Sequence, residues 1–333
     1  MNRFLYASAA AVLTALLTLV AVTGFYFYAY AKAPLCAACD SSTIIELAPN
    51  MSAAAFLKSL STKNLIRYPR AFRILMRIDG SGRSLKAGVY ALKPEESLRD
   101  FLQRVVTGDV LTASFRIIEG TNLKRVTASL ENAPWLDFQP EMLDAIRGEY
   151  LSAEGLLLAD TYRYKAGSSA KNVLMLAHTN LTNALNAAWE GRDAGLPFKT
   201  PYELLTAASI VEKESGVASE RRLIAGVLVN RLRRFMPLQM DPTVIYALGE
   251  HYEGRLRHAD LKIDSPYNTY RYRGLPPTPI AMVGRDALDA VAHPEPTAYL
   301  YYVARGDGTH EFSVDYASQR AAIHRYLKKG KRP

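Results

Sequence analysis

From Phe4 to Ala31 the chain carries no charged side chain, a run of 28 residues. About 20 apolar residues span a bilayer, whereas the apolar part of a secretory signal is about 7–15 residues long. The run is too long for a simple cleaved signal and predicts one anchoring helix. Phe25, Tyr26, Phe27, Tyr28 and Tyr30 cluster toward its far end, where aromatic rings favour the membrane–water interface. Arg3 and the terminal amine favour a cytoplasmic N-terminus, and Lys32 reduces that asymmetry. The remainder of the chain is then expected on the outer face of the membrane.

That remainder is expected to fold. The whole chain is 49% hydrophobic and 22% charged, too apolar for disorder and too charged for a polytopic membrane protein. Its 333 residues suggest two domains, at about 150 residues each. Of the net charge of +9, +8 lies beyond residue 40. A basic surface attracts nucleic acid, anionic lipid or an acidic glycan alike. No zinc-finger, RNP or basic-zipper pattern is present, and an anchored chain holds its charge outside the cytoplasm, so nucleic acid is not an expected partner. The tail Lys328, Lys329, Lys331, Arg332 reads as a solvated basic end.

Cys36 and Cys39 form the only cysteine pair, as C-A-A-C just past the apolar run. A half-zinc or redox site would want a second pair or a folded context, so a linker pair is the expectation. A lipoprotein signal ending at Cys39 fits poorly, because Cys36 stands where leucine is wanted. The six histidines are scattered without an H-E-x-x-H spacing. Neither a G-x-S-x-G elbow, a phosphate-binding loop nor a dinucleotide glycine fingerprint occurs. No metal and no cofactor are expected.

A strand–turn–helix pattern occurs three times, over 44–60, 89–105 and 115–130. In the second, Leu98, Phe101, Leu102, Val105 and Val106 follow helical spacing. Arg70–Ile78 predicts another helix and Gly80–Gly82 a turn. Units this small must pack together to bury a face, so 41–130 is expected to be one α+β module. Residues 131–200 read as loops around EGLLLADTYRY and a long helix over 170–191. Thr200–Pro201 opens a helix as cap and first residue, running to about Ser215. A second helix is expected over 219–234 and a third over 285–292. Gly306–Asp307–Gly308, between alternating strands, signals a hairpin.

The candidate chemistry is acidic. Glu212 and Glu214 end the apolar helix SIVEKES, flanking its buried face (Leu204, Ala208, Val211) on opposite sides. A carboxyl against apolar surface is pushed toward its neutral form, as a general acid at neutral pH requires. Periodicity does not choose between the two. Downstream lies a density of polar and aromatic residues, Gln239, Asp241, Thr243 and Tyr246, then Tyr267, Asn268, Tyr270 and Tyr272. Such side chains suit sugar faces and hydroxyls, although 20 tyrosines must sit somewhere.

The segments ASIVEKESGVASERRLIAGVLVNRL, QMDPTVIYALG, SPYNTYRYRGLPPTPI and YLYYVARGDGTHEFS occur in this order. With LKAGVYAL, IIEGTNL and EGLLLADTYRY upstream, they make residues 43–328 resemble the MltG (YceG-like) endolytic murein transglycosylase family. The resemblance implies an α+β protein in three parts: residues 1–40 as cytoplasmic N-terminus, single transmembrane helix and linker; 41–130 as a small LysM-like module; and 131–333 as a mixed α+β catalytic domain. It implies a lyase of the inner membrane, its bulk periplasmic, that cuts nascent peptidoglycan strands between MurNAc and GlcNAc and leaves 1,6-anhydro ends. It selects Glu214, the second glutamate of E-K-E, as the catalytic acid. Gln239, Asn268 and Tyr270 are then the expected sugar-binding residues, and peptidoglycan synthases a candidate partner class. Two other readings stay open: a hydrolase on the same bond, and a wall-binding scaffold without turnover. Ala159 departs from the family, which more often has proline there, and is expected to loosen a turn.

Overall fold

The computed structural model describes residues 2–35, 43–214 and 216–328. Cys36, Cys39, Ser215 and the basic tail from Lys329 lie outside the described residues. The chain is mixed helix and strand and forms two compact units. The first comprises Met1–Ala113 with Tyr164–Ser168, and the second Ser114–Arg163 with Ser169–Pro333.

In the first unit, α1 (Asn2–Lys32) holds the apolar run. Its stretch Ala10–Lys32 is long and apolar enough to cross a membrane, and Leu13, Leu16, Val20 and Phe25 stand exposed on it. Then follow β1 (Ile44–Leu47), α2 (Ala53–Thr62), α3 (Pro69–Ile78), β2 (Gly88–Ala91) and α4 (Leu98–Thr107). Strands β1 and β2 pair antiparallel, Ile44 opposite Ala91 and Leu47 opposite Gly88. The core between strands and helices is aromatic: the Phe56 ring lies 6.2 Å from Phe72 and 6.3 Å from Phe101. Leu98, Phe101, Leu102 and Val105 are buried on α4 as their spacing predicts. Ser97 caps that helix by accepting from the Asp100 amide, and Gly108 ends it in the left-handed region at φ 78°.

The second unit runs through β3 (Thr112–Arg116), α5 (Leu123–Glu131), β4 (Leu136–Asp137), α6 (Asp144–Arg147), β5 (Thr161–Lys165), β6 (Ser168–Ser169) and α7 (Ala170–Gly191), with Thr112, Ala113, Tyr164, Lys165 and Ser168 of these strands in the first unit. It continues with α8 (Pro201–Glu214), α9 (Arg221–Arg233), α10 (Asp241–Leu248), α11 (Arg285–Ala292), β7 (Tyr301–Ala304), β8 (His310–Ser313) and α12 (Tyr316–Ile323). The third strand–turn–helix repeat thus belongs here and not with the first two. Its turn is tied to the segment before α11: the Gly120 amide donates to Met282 O at 2.9 Å and the Met282 amide to Thr121 O at 2.8 Å. The Ala159 amide donates to Val283 O at 2.9 Å. Proline there would lack that donor, so alanine fastens the turn it was expected to loosen.

At the centre of this unit lies α8. Thr200 caps it as expected, its hydroxyl accepting from the Glu203 amide at 3.2 Å. Every residue from Leu204 to Glu212 is buried, so the helix is enclosed on all sides and not only on the Leu204–Ala208–Val211 face. It packs on α7, α9, α10 and α11. A 3₁₀ turn over Ala218–Glu220 delays α9 by two residues from its expected start. In α9, Gly226 faces the 295–297 segment so closely that a Cβ would come to 2.6 Å from Glu295 O and 2.9 Å from Thr297 Cγ2. Gly226→Ala gains about 1 kcal/mol of helix propensity, but backbone that cannot yield makes the overpacking cost larger. A net loss of about 2 kcal/mol is expected, read as a lowered midpoint of thermal unfolding.

Candidate active site

The last turn of α8 carries Glu212, Lys213 and Glu214, and the structure separates the two carboxylates that periodicity left equal. Glu212 accepts from Arg221 Nη2 at 3.0 Å through one oxygen and from the Gly284 amide at 2.9 Å through the other. It is buried and committed to holding α9 and the start of α11. Glu214 meets other company. The Tyr302 hydroxyl from β7 hydrogen-bonds its carboxyl, Asp241 at the start of α10 adds a like charge, and the guanidinium of Arg231 adds an opposite one. Burial first, and the Asp241 charge second, push the Glu214 carboxyl from 4.5 up to about 8. It therefore holds its proton at neutral pH. Burial also pushes the Tyr302 phenol well above its ordinary value, so the hydroxyl remains a donor.

Arg231 organises these elements. It is 6% exposed. Its Nε donates to Leu300 O at 2.6 Å, just before β7, and its Nη1 to Leu238 O at 2.7 Å and Pro237 O at 3.2 Å, before α10. Nη1 also lies 3.2 Å from Gln239 Oε1, and the guanidinium sits 5.0 Å from the Tyr301 ring centre. One side chain thereby fixes the strand that bears Tyr302 and the turn that leads into Asp241. In that turn Gln239 takes φ 52°, a left-handed conformation uncommon outside glycine. Its side chain is exposed.

The loop before Tyr272 supplies the opposite side. Thr269 accepts from the Met240 amide at 3.0 Å and shares a hydroxyl contact of 2.9 Å with Thr243. Tyr270 is half-buried and donates its hydroxyl to Asp241 Oδ1. Asn268 differs from its expected role. It is fully buried, its amide nitrogen donates to Leu261 O at 3.0 Å and Ile263 O at 2.8 Å, and its oxygen accepts from the Tyr270 amide at 3.0 Å. Its polar atoms are occupied by backbone, so it positions Tyr270 and presents nothing to a sugar.

Glu214, Gln239, Asp241 and Tyr270 thus come together, joined by Tyr302 and Arg231, which the residue pattern did not single out. Arg231 is one arginine of the run NRLRR, and Tyr302 is one tyrosine among 20. A second buried carboxyl was also missed. Glu154, 3% exposed, accepts from the Leu123 amide at 2.9 Å and from the Tyr246 hydroxyl at 3.2 Å, and burial raises it to about 7. It ties α5 to α10. The site offers one neutral carboxyl poised to give a proton, a neighbouring carboxylate, and phenol and amide groups around them.

The chain is 30% identical over 313 residues to the endolytic murein transglycosylase of Bacillus subtilis (strain 168), covering 86% of each. It is 30% identical over 261 residues to the protein of the same name from Streptococcus pneumoniae (strain ATCC BAA-255 / R6), covering 66% of this chain and 46% of that longer one. A crystal structure of a YceG-like protein from Listeria monocytogenes superposes with a TM-score of 0.52 at 27% identity, over 84% of this chain and 98% of that one. The model of the YceG-like family matches residues 45–325, a span that includes every residue of the site, and the chain belongs to that family.

Proposed function

We propose that this protein is a membrane-anchored lytic transglycosylase that cuts nascent murein strands internally. One observation carries the reading: Glu214 is a neutral carboxyl at pH 7, beside Tyr302 and Asp241, while Glu212 is engaged elsewhere. The relatives' shared name supports the substrate. Protonated Glu214 gives its proton to the oxygen that links the MurNAc C1 to GlcNAc, and that C–O bond breaks. Positive charge develops at C1. The 6-hydroxyl of the same sugar attacks C1 and its proton returns to the Glu214 carboxylate. The products are a 1,6-anhydro end and a GlcNAc end, with no water consumed. An internal nucleophile brings a high effective concentration, so no carboxylate is needed to activate water. The Asp241 charge raises the proton affinity of Glu214 and favours the developing cation. Gln239 and Tyr270 hold the sugars, and Asn268 holds Tyr270.

The β–α–α–β order of the first unit, with antiparallel strands, supports reading it as a LysM-like glycan-binding module. Helix α1 supports a single-pass anchor of the inner membrane, N-terminus inside and bulk outside. Acting on nascent strands places the protein beside peptidoglycan synthases as candidate partners.

A second reading has Asp241 behind it: two carboxyls near one another are what a glycosidase uses to activate water. Mass spectrometry of strand ends from the full-length protein in detergent separates the two. Anhydro ends are expected; water-added ends would make it a hydrolase, and bound but uncut strands a scaffold. The kcat/KM is expected to be level near pH 6 and to fall about tenfold per pH unit above pH 8, because the active form of Glu214 is the protonated one. A profile rising through pH 8 would remove Glu214 as the acid.

A further inference from the structure

Next to Lys213 lies a cavity of about 540 Å³. Its walls come from α5, the last turn of α8, α10 and the turn after it. It adjoins the site through two neighbours in sequence, Lys213 beside Glu214 and Pro242 beside Asp241. The charges around it do not balance. Lys124 pairs with Glu250, the acid of the lining. Lys213 donates to Gly120 O at 3.0 Å, which leaves donors of its ammonium for another acceptor. Arg125 lies near enough that its charge, after burial, lowers the proton affinity of Lys213, and Glu212, already engaged with Arg221 and Gly284, offsets this only in part. Among the described residues neither Arg125 nor Lys213 joins an ion pair. Both are exposed, so the two charges stand open to an anion from solvent. Tyr246 and Tyr252 add rings to the wall.

We propose that this cavity is a subsite for the carboxylates of the peptide stem on the cleaved strand, with Arg125 and Lys213 as the recognising cations. The proposal rests on the murein reading above. While the stems are attached, the lactyl carboxyls of a murein backbone are amides and carry no charge, so the carboxylates are those of the stems. A stem is attached to the MurNAc whose C1 reacts, so its carboxylates fall within a few amino-acid residues of the sugar that Glu214 addresses. The planar fork of Arg125 suits a carboxylate, and the tyrosine walls accept the aliphatic parts of a peptide. The subsite would make cleavage favour strands that still carry stems.

Binding is measured with full-length Glu214→Gln protein on immobilised, lipid-free strands, either intact or stripped of stems by an amidase and with the lactyl carboxyls so freed converted to amides. Adding Arg125→Gln is expected to weaken binding to intact strands about tenfold, the size of one charge-assisted hydrogen bond, and to leave binding to stripped strands where it was. Arg125→Lys, which keeps the charge without the fork, is expected to restore part of the loss. A thermal melt of each variant reports its fold. Equal binding of intact and stripped strands, or equal weakening on both by Arg125→Gln, would overturn the proposal. Cleavage by the wild type is scored separately: anhydro ends from stripped strands uphold the transglycosylase whatever becomes of the subsite, and stem-dependent binding without any cleavage sinks the transglycosylase alone.

Discussion

Glu214→Gln is expected to lower strand cleavage by about 10³-fold while raising stability at alkaline pH. The first effect is the loss of a positioned general acid, which contributes about 10²–10⁴-fold. Glutamine keeps the volume of the side chain and an acceptor for the Tyr302 hydroxyl, but it has no proton to give to the glycosidic oxygen. The second effect follows from the same perturbation. In the unfolded chain the carboxyl ionises near its ordinary 4.5, whereas the folded protein holds the proton up to about pH 8. Between those values the folded state binds more protons, so wild-type stability falls as pH rises through the window. The glutamine variant does not titrate and escapes that loss. The melting temperatures are expected to be close at pH 4.5 and to differ by several degrees at pH 8.5, the variant higher. Activity and stability moving in opposite directions would exclude misfolding as the cause. A variant that melts lower than the wild type at pH 8.5 would refute the half-buried, protonated acid.

Arg231→Met is expected to be the most damaging substitution for the frame of the site. Leu238, Pro237 and Leu300 each direct a carbonyl at this guanidinium, and no methionine atom can donate to them. Leaving buried acceptors unpaired costs about 1–3 kcal/mol each, less where the segments relax. A total near 3 kcal/mol, or about 10 °C of melting temperature in a unit this large, is expected. The relaxation itself harms the site, because those carbonyls belong to the turn before Asp241 and the residue before β7. The residual activity carries a further sign. The Arg231 charge holds the Glu214 carboxyl down against burial, so its removal shifts the fall of kcat/KM above pH 8 to still higher pH. A merely structural arginine would lower the rate and leave that pH where it was.

Much of the architecture was legible because it is local. The run from Phe4 to Ala31 declares a helix that could cross a membrane, and such a helix is present. Helices α3, α7 and α11 lie within a residue of the ranges read from spacing, since the 3.6-residue period is written in neighbouring positions. Gly306 and Gly308 both take positive φ between β7 and β8, as the hairpin turn required. The family resemblance implied Glu214 as the acid, and the fold sets that side chain beside Tyr302 and Asp241.

Pairings between distant segments were not legible. Nothing in residues 209–215 says that Glu212 meets Arg221 and Gly284 while Glu214 meets Tyr302, because both are carboxylates on one helical turn. The amide of Asn268 looked suited to a sugar hydroxyl until its backbone partners were seen. The third strand–turn–helix repeat looks like the first two, but its turn is hydrogen-bonded to a segment about 160 residues later.

The sequence by itself determined the apolar N-terminal helix, the helical periods, the turn chemistry and the family. Only the tertiary structure decided which glutamate faces Tyr302 and Asp241, that Arg231 is a buried brace, and that Arg125 and Lys213 share a cavity. The reason is the range of the forces. Periodicity reports on which side of its own axis a residue lies, whereas proton affinity and hydrogen bonding depend on what arrives from elsewhere. Arg231 and the carbonyl of Leu300 are 69 positions apart, and only folding brings them together.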